Sequence, residues 1–146
     1  MINRMILRFL SVADNVGLAR VAVAQLAAPI GFSLSDLEEI KVAVSEAVSN
    51  AIIHGYQGRA DGWVEVVASV VDDELTVSVE DWGVGIADIA KAREPAYSTD
   101  PERMGLGFVF MESFMHSLVV ESAPGRGTRV EMRRKAHVGA LSRDVQ

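Results

Sequence analysis

The chain has 146 residues, of which 49% are apolar and 23% charged, with no cysteine and a formal net charge of −6. That size and composition predict one globular domain with a single core, and they exclude disulfides and thiolate metal sites. The acidic balance argues against direct nucleic-acid binding. No apolar run reaches the roughly 20 residues that span a bilayer, and the N-terminus lacks the order of a signal peptide, so no membrane contact and a cytoplasmic location are expected.

A first strand is predicted over residues 3–11, where Met5, Leu7 and Phe9 alternate with Ile6, Arg8 and Leu10. An Ala- and Val-rich helix follows from Asp14 to Ala28, with Leu18, Val21, Ala22 and Leu26 expected on its buried face; Pro29 and Gly31 end it. A second helix starts at Ser35, which forms a capping-box pattern with Glu38. Its buried stripe is Ile40, Val44, Ala47, Val48 and Ala51, and Gly55 is its expected stop. Two alternating strands come next, one through Val64, Val66, Ala68 and Val70, the other through Leu75, Val77 and Val79, with the turn at Asp72 and Asp73.

A polar stretch from Asp81 to Met104 carries a short helix near Asp88 to Arg93. A third long helix spans Gly105 to His116, and a closing hairpin (117–122 and 128–134) turns at Pro124, Gly125 and Gly127. Arg133, Arg134 and Lys135 read as a solvated strand end. Residues 1–135 are expected to form the domain and 136–146 a mobile tail. The order of elements predicts an α/β two-layer sandwich, with a mixed, mostly antiparallel sheet and helices on one face.

Four segments can carry chemistry. Glu46, Asn50 and His54 recur every four residues and share a helix face distinct from the apolar stripe. A carboxylate there can take a proton, and an Asn oxygen suits magnesium, although polar residues at this spacing are ordinarily a solvated face. Asp81 leaves a strand just before Gly83, Gly85 and Ile86. Its carboxylate can accept from an exocyclic amine such as that of adenine, and the glycines let backbone approach a ligand; the plain alternative is a strand-to-loop turn. Gly105, Leu106 and Gly107 open a helix whose N–H groups suit phosphate, or they are small residues needed for packing. Tyr97, Ser98, Thr99, Asp100, Glu102 and Arg103 between the two glycine motifs form either a lid or an ordinary loop.

Each signal alone is weak; their order is specific. Glu46 with Asn50, the aspartate–glycine turn, the polar interval and the glycine-led helix resemble the N, G1 and G2 boxes of the Bergerat-type, histidine-kinase-like ATPase superfamily. Gly127 with Thr128 resembles that superfamily's late threonine near adenine. The stretch Val44 to Tyr56, together with Met111 to Met115 and Glu121–Ser122, is similar to the sporulation anti-sigma F factors, and the similarity runs from about residue 5 to about residue 134.

The resemblance implies a dimeric, ATP-dependent protein serine kinase that is also an anti-sigma factor. It implies binding of a sporulation sigma factor and phosphorylation of a small anti-anti-sigma protein on serine. Carried over position by position, Glu46 is the base and Asn50 binds Mg2+. Asp81 recognises the adenine amine, helped by Thr128. Gly83, Gly85 and Ile86 shape the ATP pocket, and Thr99, Gly105, Leu106 and Gly107 lie beside the phosphates. Arg20 matches a position that contacts both protein partners. Two other readings stay open: a stress-response anti-sigma kinase with a different sigma partner, and a nucleotide-gated binding module without kinase activity.

Overall fold

The computed structural model describes residues 2–94 and 104–136. Five strands, β1 (Ile2–Leu10), β2 (Trp63–Val71), β3 (Glu74–Asp81), β4 (Ser117–Ala123) and β5 (Gly127–Lys135), form one sheet in the order β1-β2-β3-β5-β4. All four ladders are antiparallel, and among the described residues no strands pair in parallel, so the sheet is antiparallel and not mixed. Tight turns join β2 to β3 and β4 to β5, and such hairpins impose antiparallel pairing. The first turns at Asp72, which has φ +55°.

Register gives the sheet two unlike faces. Phe9, Val64, Asp81 and Thr128 lie in one cross-strand row, and every second residue from them faces the helices. Val64, Val66, Ala68, Val70, Leu75, Val77, Val130 and Met132 are buried on that face. Burying each branched side chain contributes about 1.5–3 kcal/mol, which fixes the register, since a slip of one residue would expose the whole set.

Helices α1 (Asn15–Ala27), α2 (Leu34–Asn50) and α4 (Met104–Phe114) cover this face, with α2 packed between the other two; a short α3 (Ile89–Ala92) starts at Asp88, whose carboxylate accepts from the Lys91 amide. The expected stripe of α2 is buried as read. That of α1 is not. Ala19, Val23 and Ala27 face the core, while Leu18 and Val21 are exposed. On a helix so rich in apolar residues two stripes compete, and the smaller side chains win here because they allow close approach to α2.

The start of α2 also differs from expectation. The capping box joins Ser33 and Asp36, with both reciprocal bonds at 3.0 Å, and not Ser35 and Glu38. The two frames overlap in sequence, and a tertiary contact separates them. Arg134 reaches from β5 to Asp36 at 2.6 Å and Glu39 at 2.8 Å, and donates to the Phe114 carbonyl. Arg134 is therefore a largely buried tie between β5, α2 and α4, and not part of a solvated strand end. Ala136 is buried and donates its N–H to the Asp73 carbonyl, so packing continues one residue past the predicted domain end; residues 137–146 lie outside the described residues.

Candidate functional site

At its C-terminus α2 widens into a π-helical turn over Ala51–Gly55. Such turns carry one extra residue per loop and are frequent at functional sites. This one leaves the Gly55 carbonyl to accept from the Val84 amide at 2.9 Å, which docks the loop after β3 onto the end of α2. The close approach requires glycine at both 55 and 83: a Cβ on Gly83 would lie 1.9 Å from the Gly55 oxygen, and one on Gly55 2.7 Å from Asp81 Oδ1.

The result is a pocket between the end of α2, the ends of β3 and β5, and α4. Among its lining residues are Asn50, His54, Asp81, Gly85, Ile86 and Thr128, six of the positions singled out in the sequence. Ala47, Val79, Phe108 and Val130 supply apolar walls. A few convergent polar groups on an apolar frame are the usual form of a small-ligand site. Gly85 has φ +77°, and a Cβ there would strike the Ala123 carbonyl at 2.0 Å. Gly83 and Gly105 serve close backbone packing, the latter against the Glu94 carbonyl. Leu106 is half-buried in the first turn of α4. Thr99 lies outside the described residues.

Asp81 is the buried carboxylate of the pocket, 3% exposed. Burial pushes its carboxyl up to about 6, while the amides of Gly83 and Thr128 hydrogen-bond to it and oppose the rise; nearby Glu80 adds to it. The Gly83 N–H donates to Oδ1 at 2.9 Å. An amine donor entering the pocket would favour the ionised form.

Glu46 and Asn50 lie one turn apart on α2 and face Gly107 at the start of α4. A Cβ on Gly107 would come within 2.9 Å of Glu46 Oε1 and 3.4 Å of both Asn50 amide atoms. Burial raises the Glu46 carboxyl above its ordinary value, the direction expected of a general base working near neutrality. Asn50 Nδ2 is buried without a hydrogen-bond partner among the described residues. A native group left so is costly unless something else satisfies it, and a phosphate–magnesium ligand would do so after rotation of the amide presents either its oxygen or its nitrogen. No group of three or more His, Asp or Glu able to hold a metal occurs among the described residues, so a cation here would rely mainly on phosphate oxygens, as magnesium commonly does.

Glu46 also borders a second, open groove, lined by Arg20, Glu38, Lys41, Val42 and Ser45 between α1 and α2. Arg20 donates to Ser45 Oγ at 3.2 Å. Asn50 thus belongs to the inner pocket and Glu46 to the surface beside it.

Three residues that the sequence reading gave no site role hold this geometry. Gly55 supports the loop, as above. The Tyr56 hydroxyl donates to the Trp63 carbonyl at 2.5 Å and accepts from the Trp82 amide at 2.8 Å, fixing the backbone after Asp81. Ser122 accepts from the Ile86 amide. Tyr56 and Ser122 both fall within the stretches of family resemblance, which was the available signal.

Residues 9–134 match the model of the histidine kinase-like ATPase domain family. An anti-sigma F factor of Clostridium acetobutylicum is 47% identical over 135 residues, covering 91% of this chain and 94% of its own. The chain belongs to the anti-sigma F factors of the histidine kinase-like ATPase family. An anti-sigma F factor of Clostridium beijerinckii is 44% identical over 138 residues, covering 93% of this chain and 96% of its own. Among solved structures, the RsbU and RsbW domains of a Mycobacterium tuberculosis protein align with TM-score 0.62 at 22% identity, over 91% of this chain and 32% of that one. The histidine kinase domain of an Erythrobacter litoralis blue-light activated kinase aligns with TM-score 0.57 at 22% identity, over 86% of this chain and 61% of that one. Those distant likenesses agree on the fold. Family membership implies ATP binding, and no described helix is long and apolar enough to cross a membrane.

Proposed function

We propose that this protein is an ATP-dependent serine kinase and anti-sigma factor, which holds a sporulation sigma factor inactive and phosphorylates an anti-anti-sigma protein on serine. One observation carries the reading: Glu46 stands between the pocket that Asn50 lines and the open groove that Arg20 lines. A base placed there can serve a hydroxyl arriving from a protein outside and a phosphate held inside. The names of the relatives supply the class of partner.

In this reading the adenine amine donates to Asp81, with Thr128 beside it, and Gly85 and Ile86 close over the base. Gly105, Leu106 and Gly107 lie along the phosphates. Asn50 holds the magnesium that accompanies ATP, which neutralises phosphate charge when bound. Glu46 removes the proton of the substrate serine as its oxygen attacks the γ-phosphorus, and ADP leaves. Arg20 contacts the protein partners across the groove. The kinase acts in the cytoplasm as a homodimer. The outer face of the sheet, where β1 exposes Ile2 and Ile6, is available to a second copy.

The test is transfer of labelled phosphate from ATP to the anti-anti-sigma protein, run alongside ADP binding. Glu46→Ala is expected to keep nucleotide affinity and lose transfer by about 100-fold or more, the scale of general-base catalysis. Wild-type protein that binds ATP yet transfers nothing would leave only a nucleotide-gated binding module.

A further inference from the structure

Asp81, Thr128 and Ser122 occupy one cross-strand row on the inner face of β3, β5 and β4, with Asp81 paired to Thr128 and Thr128 to Ser122. Asp81 and Thr128 line the nucleotide pocket; Ser122 stands behind Thr128. We propose that Ser122 is a specificity-determining residue: it captures the Thr128 hydroxyl proton, so that the pocket offers a purine only acceptors at this edge and selects an amino group at position 6. This rests on the reading of the pocket as an adenine-nucleotide site.

The proton count carries the argument. Ser122 Oγ makes three short contacts. The Ile86 amide donates to it at 2.7 Å, the Gly127 carbonyl lies 2.8 Å away and Thr128 Oγ1 lies 2.8 Å away. A hydroxyl has one proton to give and two lone pairs to receive. The Gly127 carbonyl can only accept, so the Ser122 proton goes there; otherwise two bare oxygens would face each other at that distance. The Ile86 amide fills one lone pair. Thr128 must then donate into the other.

With its proton turned to Ser122, Thr128 presents only lone pairs to the pocket. Asp81, when ionised, is likewise an acceptor alone. At position 6 a 6-amino purine brings N–H groups to these acceptors, while its N1 lone pair takes no donor from them. A 6-oxo purine brings a carbonyl to that same point, leaving acceptors opposed at position 6, the kind of mismatch that discriminates strongly between close analogues. Ser122 touches no ligand in this arrangement and acts through Thr128. The same hydroxyl fastens Ile86, at the end of the glycine turn, to the start of β5, so the orientation of the threonine and the position of the turn are set together.

The experiment is calorimetric titration of the full chain with ADP and with inosine diphosphate, both with magnesium, comparing the ratio of the two dissociation constants. In Ser122→Ala the Thr128 hydroxyl is free to donate into the pocket, and the preference for ADP is expected to fall about fivefold, the worth of one hydrogen bond. Ser122→Thr, which keeps the hydroxyl, is expected to retain the wild-type ratio. Adding Ser122→Ala to Thr128→Val is expected to leave the ratio of Thr128→Val unchanged, because the serine has nothing left to act on. Should Ser122→Ala not fold, Ser122→Cys keeps the volume with a weaker hydrogen-bonding group and is expected to lower the preference in the same direction. A merely structural role would weaken both nucleotides alike, and an unchanged ratio in folded Ser122→Ala overturns the proposal while ADP binding upholds the site. Absence of ADP binding by the wild type would overturn both.

Discussion

At the scale of single residues, Asp81 shows how a binding site is held at some expense of stability. Its carboxyl is pushed up to about 6 by burial, against roughly 3.9 in an unfolded chain. The folded protein therefore holds the proton more tightly than the unfolded one. That contribution to stability is fully present below about pH 4 and is lost as pH rises through about 6. Asp81→Asn removes the ionisable group with little change of shape. Without nucleotide, the variant is expected to be more stable than wild type at about pH 8, by about 1–3 kcal/mol, and to show no such advantage near pH 4. It is also expected to bind ADP some 10- to 100-fold less tightly, the range for losing a hydrogen bond to a charged group. Denaturant titrations at the two pH values, with ADP titrations beside them, check both halves. Equal stability of the two proteins at the higher pH would mean that burial does not penalise this carboxylate.

At the scale of elements, the sequence was most legible where one pattern had no competitor. The alternation in β2 and β3 and the stripe Ile40, Val44, Ala47, Val48 on α2 each admit one buried face, and each is buried as read. Asp81 and Gly85 stood out as an acidic strand exit followed by a glycine, and Thr128 through the family resemblance; one pocket gathers all three. The face of α1 was not legible, because Leu18 and Val21 compete with Ala19 and Val23, and only the packing of α2 decides. The cap was not legible for a similar reason: Ser33 and Ser35 each precede an acidic residue by three positions, and Arg134, about a hundred residues later, holds Asp36 at 2.6 Å. Ser122 escaped notice as a site residue because its role is to hold another hydroxyl.

Arg134 also makes a prediction at this scale. It lies 12% exposed and joins α2, α4 and β5 through two carboxylates and one carbonyl. Arg134→Met retains much of the side-chain volume but leaves Asp36 and Glu39 without this charge partner. A loss of about 2–4 kcal/mol is expected, since breaking a buried pair costs more than the pair contributes. Arg134→Lys is expected to restore only part, because an ammonium cannot match the planar fork that reaches three acceptors. Urea titration of the three proteins checks this; a midpoint unchanged in Arg134→Met would show that water replaces the arginine at no cost.

At the scale of the whole molecule, the sheet has one face committed to the helices and one left over. The leftover face is divided. Near β5 it carries the ion pairs of Arg129, Glu131 and Arg133. Near β1 the apolar cross-strand pairs Ile2 with Val71, Ile6 with Val67 and Leu10 with Trp63 alternate with Arg4–Ser69 and the ion-paired Arg8–Glu65. Ile2 is 78% exposed and Ile6 64%. Exposed apolar residues framed by polar ones are a pattern found at interaction sites. It lies on the opposite side of the sheet from α1 and α2, so pairing through it would leave the groove beside Glu46 open on both subunits. A two-fold dimer brings the same patch from each subunit together, and the centre of such a contact tolerates a buried like charge poorly. Ile6→Lys puts two ammonium groups there. The wild type is therefore expected to sediment as a dimer at micromolar concentration and Ile6→Lys as a monomer. The variant is expected to keep the wild-type ADP affinity, because Ile6 faces away from the pocket. A wild-type monomer, or a dimer that survives Ile6→Lys, would remove this face as the contact.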